Sequence, residues 1–245
     1  MKLIISIDDT DNKYSKGTGH RARKLGALLE KRGFISLMSI SRHQLLFDRR
    51  IPYTSHNSSA SLFCEAHKEV SDIIAFCRRF LKRESAFFSD AGLCVARLDD
   101  LNDDIINWGH RAKKEILFMP EAKEIAKSAN IFLEGLTGKK IGIIGALAAT
   151  GLRAEGNDGR LLWLPQLRTL SGVFKANELQ QIIKIENITE KNTVAVPPES
   201  LILKGEWCRP VHINGKITLI VEKNLNTNDY EYHSASKEYI KSISQ

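Results

Sequence analysis

Strand-like and helical hydrophobic patterns alternate along the first part of the chain. Residues 2–7 are β-branched and nearly continuous in apolar character, which predicts a strand buried on both faces. Apolar residues recur at helical spacing over residues 20–32 and again over residues 69–82. Further strands are predicted over residues 34–40 and 58–64. This order of elements predicts a sheet with flanking helices.

The middle of the chain is helical and then becomes rich in small residues. Helices are predicted over residues 103–117 and 121–130, with Pro120 at the start of the second. Glycine and alanine dominate residues 142–151, which lets a backbone or a ligand approach closely. The spacing of these glycines differs from the Gly-x-Gly-x-x-Gly fingerprint, so dinucleotide binding is not indicated.

The last part of the chain is rich in short strands. Strand-like stretches at residues 193–196, 201–203 and 216–221 are separated by proline, glycine and asparagine. The fold class predicted for the whole chain is therefore α/β in the mixed α+β sense. Residues 1–178 are expected to form a domain with a helix-covered sheet, and residues 179–245 a small β-rich C-terminal domain.

Composition adds a net positive charge to this picture. The chain has 245 residues, of which 42% are hydrophobic and 27% charged, a balance that supports a buried core and excludes disorder throughout. No apolar run approaches the roughly 18 to 20 residues of a membrane-spanning helix. The 36 Lys and Arg outnumber the 29 Asp and Glu, and the net charge of +7 favours anionic partners such as nucleotides or RNA. We expect a cytoplasmic protein with no membrane partner.

The cysteines do not indicate a metal site. No two of them form a Cys-x-x-Cys pair, so a zinc knuckle is not predicted. Each lies in an apolar neighbourhood, and buried thiols are expected at Cys64, Cys77, Cys94 and Cys208.

An acidic turn directly after the first predicted strand is the most informative motif. Asp8, Asp9 and Asp11 place three carboxylates within four positions, where they repel one another unless a cation or hydrogen-bond donors neutralise them. Magnesium takes one or two protein carboxylates and completes its shell with water and substrate phosphates. The turn therefore indicates a magnesium site. The alternative is a solvated acidic turn whose side chains cap backbone amides.

Two further segments could hold phosphate oxygens. Gly17, Thr18 and Gly19 precede the helix predicted over residues 20–32, and amides at a helix N-terminus form an anion site. Arg42 and the polar segment 49–59 offer guanidinium, hydroxyl and amide donors. An ordinary polar loop is the alternative for the second segment.

Taken together, these motifs resemble the kinase-like domain of archaeal agmatidine synthetases. The resemblance covers about residues 1–175 and rests on motifs in the same order. These are Asp8-Asp9-Thr10-Asp11, the glycine turn, Arg42, Ile51-Pro52-Tyr53 with Asn57, and Ile144-Gly145-Ala146-Leu147-Ala148-Ala149. Enzymes of that family use ATP to attach agmatine to the anticodon cytidine of an isoleucine tRNA.

The resemblance implies an ATP- and magnesium-dependent ligase or kinase. It would phosphorylate a substrate carbonyl, of a tRNA cytidine or a small molecule, for attack by an amine. The implied catalytic residues are Asp8, Asp9, Asp11, Arg42 and His20, the first three also binding magnesium. The implied nucleotide-binding residues are Gly17, Thr18, Gly19, Asn57 and Gly145.

The chain also departs from the family pattern. His20 stands where the family carries a phosphorylated threonine, so the covalent phosphothreonine step is not carried over to this chain. About 70 residues follow the catalytic segment, fewer than the family uses to grip tRNA. The resemblance therefore leaves room for a partner protein that presents the RNA.

Two other functions remain open from the sequence. Asp9-Thr10-Asp11 after an apolar strand resembles the motif of haloacid-dehalogenase-type phosphatases, in which Asp9 would be the nucleophile and Asp11 the general acid. Lys13 stands where that class usually has threonine. A non-catalytic nucleotide- or RNA-binding module is the third interpretation, which the unusual His20 favours.

Overall fold

The chain divides into two compact units, and the division lies earlier than predicted. The computed structural model describes residues 1–52, 56–226 and 229–244, and its units are Met1–Glu155 and Gly156–Gln245. The predicted boundary after residue 178 is therefore displaced. Leu161 and Leu179 are buried in the same cluster as Leu219, so these side chains belong to the core of the second unit.

The sheet of the first unit is antiparallel throughout its described strands. The strands are β1 (Lys2–Asp8), β2 (Ile35–Gln44), β3 (Ser58–Ala66), β4 (Gly92–Arg97) and β5 (Phe132–Gly135). Their order in the sheet is β5-β4-β1-β3-β2, and each strand pairs antiparallel with its neighbours in this order. Strands β1 to β4 with their two crossover helices have the β-α-β-β-α-β order of ferredoxin-like folds. The end of β1 consequently lies beside the starts of β3 and β4, because Ile7 pairs with Ala60 and with Leu93.

Helices cover both faces of this sheet. They are α1 (Thr18–Lys31), α2 (Val70–Glu84), α3 (Asp103–Ala112), α4 (Met119–Ser128) and α5 (Ile143–Glu155), with a 3₁₀ turn at Leu98–Asp100. Leu62 of β3 faces α1, because a Cβ at Gly26 of that helix would lie 3.2 Å from its side chain. The preceding residue, Ser61, faces α5 and donates to the carbonyl oxygen of Ala149. Since successive strand residues face opposite sides, α1 and α5 lie on opposite faces of the sheet.

A buried chain of hydroxyl groups joins α5 to the sheet. Thr150 Oγ1 donates to Ser6 Oγ at 2.9 Å, and Ser6 Oγ lies 2.7 Å from Ser61 Oγ. Ser61 in turn donates to the carbonyl oxygen of Ala149 at 2.9 Å. All three hydroxyls are fully buried, and each has a partner, as buried polar groups require.

The small residues of segment 142–151 serve mainly to pack this helix closely. A Cβ at Gly151 would overlap the carbonyl oxygen of Ile105 in α3, and one at Gly109 would lie 2.9 Å from the carbonyl oxygen of Ala148. The predicted close approach of a backbone is therefore found at Gly151, between α3 and α5.

The second unit is β-rich, as predicted. Its strands are β6 (Arg160–Trp163), β7 (Gly172–Lys175), β8 (Asn187–Glu190), β9 (Leu201–Lys204), β10 (Val211–Ile213), β11 (Lys216–Lys223) and β12 (Tyr232–Ser234), with helices α6 (Ala176–Ile183) and α7 (Lys237–Ile243). The stretch 193–196 does not form a full strand, but Ala195 makes an isolated antiparallel bridge with Thr189, and the amide of Val196 donates to the carbonyl oxygen of Ile188 at 3.1 Å. The amide of Glu190 donates to the carbonyl oxygen of Val194 at 2.8 Å across a turn, which leaves Val194 exposed.

The mixed α+β fold class is confirmed, and so are the buried thiols. Burial raises the pKa of Cys64 and Cys94 to about 12 and raises that of Cys77 and Cys208 as well. Within the described residues, none of the helices has the length and apolar character needed to cross a membrane.

Candidate functional site

A cavity of about 410 Å³ lies in the first unit, at the end of β1. One wall is apolar and comes mostly from the segments around α3, α4 and the start of α5. It includes Leu45, Ile51, Ile116, Phe118, Ile141 and Ile144. The remaining wall carries the acidic turn and Thr18. An apolar cleft with a few convergent polar groups is the usual form of a small-ligand site.

Asp8, the last residue of β1, is the most buried acid of the site. A Cβ at Gly145 would overlap its carboxylate, so α5 approaches this side chain only because residue 145 is glycine. Burial raises the pKa of Asp8 well above its ordinary value, and the charges of Asp9 and Asp11 raise it further. A backbone hydrogen bond from Asp9 lowers the pKa of Asp8 in part, and a nearby cation would stabilise the ionised carboxylate further.

Asp9 lies where the chain turns away from β1, close to Asp90, an acid that the sequence analysis did not identify. Its backbone is in the left-handed region, with φ of 49°. Burial, followed by the charges of Asp90 and Asp11, raises the pKa of Asp9 to about 7. Asp90 lies just before β4, and its carboxylate accepts a hydrogen bond from the backbone amide of Lys139. No local sequence signal could identify Asp90, since only the pairing of β1 with β4 brings it here.

Asp11 is held in place by the start of α1. Thr18 Oγ1 donates to Asp11 Oδ1 at 2.8 Å and accepts from Thr10 Oγ1 at 3.0 Å. Gly17 precedes the helix in an extended conformation and provides no side-chain cap, so the first amides of α1 are not satisfied by a capping side chain. Buried Arg21 anchors this segment by donating to the carbonyl oxygens of Lys16 and Glu84.

The predicted site residues are only partly brought together. Those that line the cavity are Asp8, Asp9, Asp11, Thr18, Asn57 and Gly145. Those outside its lining are Arg42, His20, Gly17 and Gly19. The side chain of Asn57 donates to the carbonyl oxygen of Leu46, which fixes the loop of the cavity. Tyr53, part of the motif quoted for the resemblance, lies outside the described residues.

Arg42 and His20, which the resemblance implies as catalytic residues, both lie outside the cavity lining. The guanidinium of Arg42 donates to Ser58 Oγ at 2.9 Å and to Gln44 Oε1 at 3.2 Å, which holds it across the paired strands β2 and β3. His20 lies on α1, where desolvation and then Lys16 and Arg23 lower its pKa. The helical path after Thr18 carries His20 away from the cavity wall.

Two cationic side chains do line the cavity. Arg50, from the segment predicted to hold phosphates, pairs with Asp48 at 2.7 Å and lowers the pKa of Asp48 to about 2. Lys139 lies in the turn between β5 and α5 and was missed by the sequence analysis. The adjacent lysines at 139 and 140, between Gly138 and Gly142, are the signal that could have indicated it.

The acids of the cavity suit a magnesium ion that is bound jointly by protein carboxylates and substrate phosphates, rather than one enclosed by a preformed set of protein ligands. Among residues 1–52, 56–226 and 229–244, no group of three or more His, Cys, Asp or Glu side chains is arranged to hold a metal ion. The predicted three-carboxylate set is therefore not assembled. Magnesium needs only one or two protein carboxylates when phosphates and water supply the rest. The raised pKa values of Asp8 and Asp9 mark carboxylates that a cation would stabilise.

Comparison with known sequences finds one curated relative. No family model matches the chain. The uncharacterized protein MJ0921 of Methanocaldococcus jannaschii is 31% identical over 152 residues, which are 62% of this chain and 50% of that protein. The chain thus spans about half the length of the curated relative it matches.

Solved structures show the same fold in proteins that act on tRNA. An isoleucine-tRNA agmatidine synthetase in its apo form matches with a TM-score of 0.57 and 18% identity over 99% of this chain and 54% of that enzyme. Its complex with the isoleucine tRNA and ATP matches with a TM-score of 0.58, the same identity and the same coverage. A tRNA fluorescent labeling enzyme matches with a TM-score of 0.55 and 22% identity over 62% of this chain and 36% of that one. The resemblance to the agmatidine synthetase is therefore confirmed as a likeness of fold.

Proposed function

We propose that this chain is an ATP- and magnesium-dependent ligase or kinase that phosphorylates a carbonyl oxygen of its substrate for attack by an amine. The observation that carries the proposal is the buried carboxylate of Asp8 at the end of an apolar cavity. Burying a carboxylate among other acids is unfavourable unless a cation compensates it. A metal-bound triphosphate supplies that cation.

The cavity offers separate surroundings for the two ends of ATP. The apolar wall suits a purine base, and Asp8 and Asp9 would hold magnesium against the phosphates. Lys139 and Arg50 are the cationic side chains available to phosphate oxygens. The ATP-containing complex of the agmatidine synthetase fold supports this assignment.

Phosphoryl transfer depends mainly on positioning and charge neutralisation, which these residues can provide. Bound magnesium would neutralise the charge of the triphosphate. Thr18 orients Asp11 through its hydrogen bond. In the transfer, the γ-phosphorus gains a bond to the substrate carbonyl oxygen, and ADP leaves. Attack by the amine then releases phosphate.

Direct transfer to the substrate is favoured over a phosphorylated protein side chain. The hydroxyl of Thr18 is engaged as donor to Asp11 and as acceptor from Thr10. His20 does not line the cavity. The phosphatase alternative is less well supported, because Lys13 stands where that class usually has threonine.

The acceptor is proposed to be a tRNA cytidine, with a small molecule as the alternative. A matched structure contains an isoleucine tRNA, an ATP analogue and agmatine together, which supports an RNA acceptor and an amine co-substrate. The net charge of +7 agrees with an anionic partner. A partner protein that presents the RNA remains part of the proposal.

The test is magnesium-dependent ATP turnover by the full chain with an anticodon stem-loop RNA and agmatine. We expect Asp8→Asn and Asp11→Asn to lower turnover by about 100-fold or more while the fold is retained. Asp100→Asn, at an exposed position, is the matched control and should keep full turnover. Full turnover in Asp8→Asn would remove the acidic turn from the reaction. Magnesium-ATP binding without turnover would instead support the non-catalytic module.

A further inference from the structure

Two adjacent phenylalanines form an exposed aromatic pair close to the acidic turn. Phe87 and Phe88 are 78% and 88% exposed, and their ring centroids lie 4.2 Å apart with planes inclined by 57°. Phe88 has a φ of 63°, in the left-handed region that bulky side chains rarely adopt. Exposed apolar patches mark interaction sites, and residues with strained backbones cluster at functional sites.

Hydrogen bonds tie the pair to the catalytic segment. The amide of Ala86 donates to the carbonyl oxygen of Thr10 at 2.9 Å, and Asn12 Nδ2 donates to the carbonyl oxygen of Phe87 at 3.1 Å. Two residues beyond Phe88, the carboxylate of Asp90 accepts a hydrogen bond from the backbone amide of Lys139, a residue that lines the cavity. The rings are therefore built into the edge of the proposed phosphoryl-transfer site.

The surroundings of the pair are aromatic and basic. Tyr14 is 86% exposed, and Lys13 Nζ lies 4.9 Å from the centroid of its ring. Lys16 is exposed in the same turn, and Lys139 is exposed in the segment that contacts Asp90. Aromatic faces interleaved with cations are the surface that single-stranded nucleic acid uses, because bases stack on the rings while phosphates meet the cations. A neutral protein partner would not explain the lysines.

We infer that the Phe87–Phe88 pair is a stacking platform for an unpaired base of a single-stranded RNA segment, held beside the acidic turn. The inference rests on the proposed function for what is done to that RNA, but base stacking itself can be measured without turnover. Single-stranded loops are the usual targets of RNA-modifying proteins, since their unstacked bases can lie on aromatic side chains. The platform would hold the acceptor strand while ATP occupies the cavity.

The test compares two labelled RNAs of equal length by fluorescence anisotropy at fixed salt. One is a hairpin with an unpaired loop that contains cytidine, and the other is a blunt, fully paired duplex. We expect the double variant Phe87→Ala/Phe88→Ala to bind the hairpin roughly 5- to 100-fold more weakly than the unaltered chain. Its affinity for the duplex should stay within about twofold, because a duplex offers few unstacked bases.

Three controls separate stacking from other causes. Phe47→Ala removes a ring that is 63% exposed in the same unit and outside the cavity lining, and it should leave hairpin affinity unchanged. Phe88→Tyr keeps a stacking face and should retain hairpin affinity. Lys13→Ala/Lys16→Ala should reduce the dependence of log K on log salt by about 0.7 for each phosphate group that the lysines no longer neutralise.

The outcomes distinguish this inference from the proposed function. Equal hairpin affinity in Phe87→Ala/Phe88→Ala and in the unaltered chain would overturn the platform, even if magnesium-ATP turnover is intact. An equal loss for hairpin and duplex would overturn it too, because it would show a general effect on the fold or the charge. Selective loss of hairpin binding in a chain that does not turn over ATP would support the platform and contradict the phosphoryl-transfer proposal.

Discussion

The carboxylate of Asp8 occupies the space that a side chain at Gly145 would need. A Cβ at Gly145 would overlap Asp8 Oδ2 and would also lie 3.1 Å from Leu45 Cδ1. The first turn of α5 therefore packs directly on the end of β1. In this arrangement Gly145 makes room for the acid, so the proposed part of Gly145 in nucleotide binding would act through Asp8.

Gly145→Ala should destabilise the chain and weaken nucleotide binding together. The added methyl group must displace Asp8 or move α5, and overpacking of this kind costs about 1–3 kcal/mol. Urea unfolding gives the free energy, and calorimetric titration with a nonhydrolysable ATP analogue and MgCl₂ gives the affinity. The double variant Asp8→Ala/Gly145→Ala is the control, because removing the carboxylate should relieve most of the methyl group's cost. If the stability losses of Asp8→Ala and Gly145→Ala simply add in the double variant, the close contact between Gly145 and Asp8 is contradicted.

The stability of the chain without ligand should fall as pH rises from about 4 to about 7. The pKa of Asp9 is raised from 3.8 to about 7, so between these values the folded state holds a proton that the unfolded state has lost. Unfolding then releases this proton, and the free energy of unfolding decreases with pH across the window. The raised pKa of Asp8 acts in the same direction.

The measurement is urea unfolding at several pH values in EDTA. Asp9→Asn should flatten the slope and make the chain more stable at pH values above the raised pKa, since the amide does not ionise. Asp100→Asn, at an exposed position, should keep the slope of the unaltered chain. A slope that survives unchanged in Asp9→Asn would show that other groups produce it.

Thr150→Val should lower stability without altering nucleotide affinity. The substitution keeps the shape of the side chain but removes the hydroxyl that donates to Ser6 Oγ and lies 3.0 Å from the carbonyl oxygen of Ala146. Leaving buried partners unsatisfied costs about 1–3 kcal/mol. Thr169→Val removes an exposed hydroxyl and should change the free energy of unfolding by no more than about 0.5 kcal/mol. Similar effects from both variants would argue against the buried hydroxyl chain.

Gly151→Ala should separate α3 from α5. Its methyl group would overlap the carbonyl oxygen of Ile105, a backbone atom that cannot rotate away, so we expect a loss of about 2–3 kcal/mol in thermal or urea unfolding. Gly205→Ala is the matched control, because a Cβ there has open space and the backbone has no positive φ. An unchanged stability in Gly151→Ala would show that the two helices are less closely packed than the structure has them.

The sequence alone was sufficient for features that depend on contiguous residues. The buried character of β1, the acidic turn after it and the β-rich second unit follow from local periodicity and turn chemistry, because these express how one segment meets apolar surroundings. The burial of the four thiols follows from their apolar neighbours in the same way. The domain boundary at Gly156 could not be predicted in this way, since it depends on which distant strands share a hydrophobic core.

Only the tertiary structure decided which side chains surround the acidic turn. Asp90 and Lys139 reach the turn because β4 pairs antiparallel with β1, a partnership between segments far apart in the chain that no local pattern encodes. Arg42 lies on β2 yet outside the cavity lining, and the helical path of α1 carries His20 away from the cavity. The sequence thus determined which residues end the first strand, whereas the pairing of strands and the packing of α5 on Asp8 determined what those residues meet. The physical reason is that hydrophobic periodicity depends on residues that are neighbours in the sequence, whereas the site is formed by contacts between residues that are distant in the sequence.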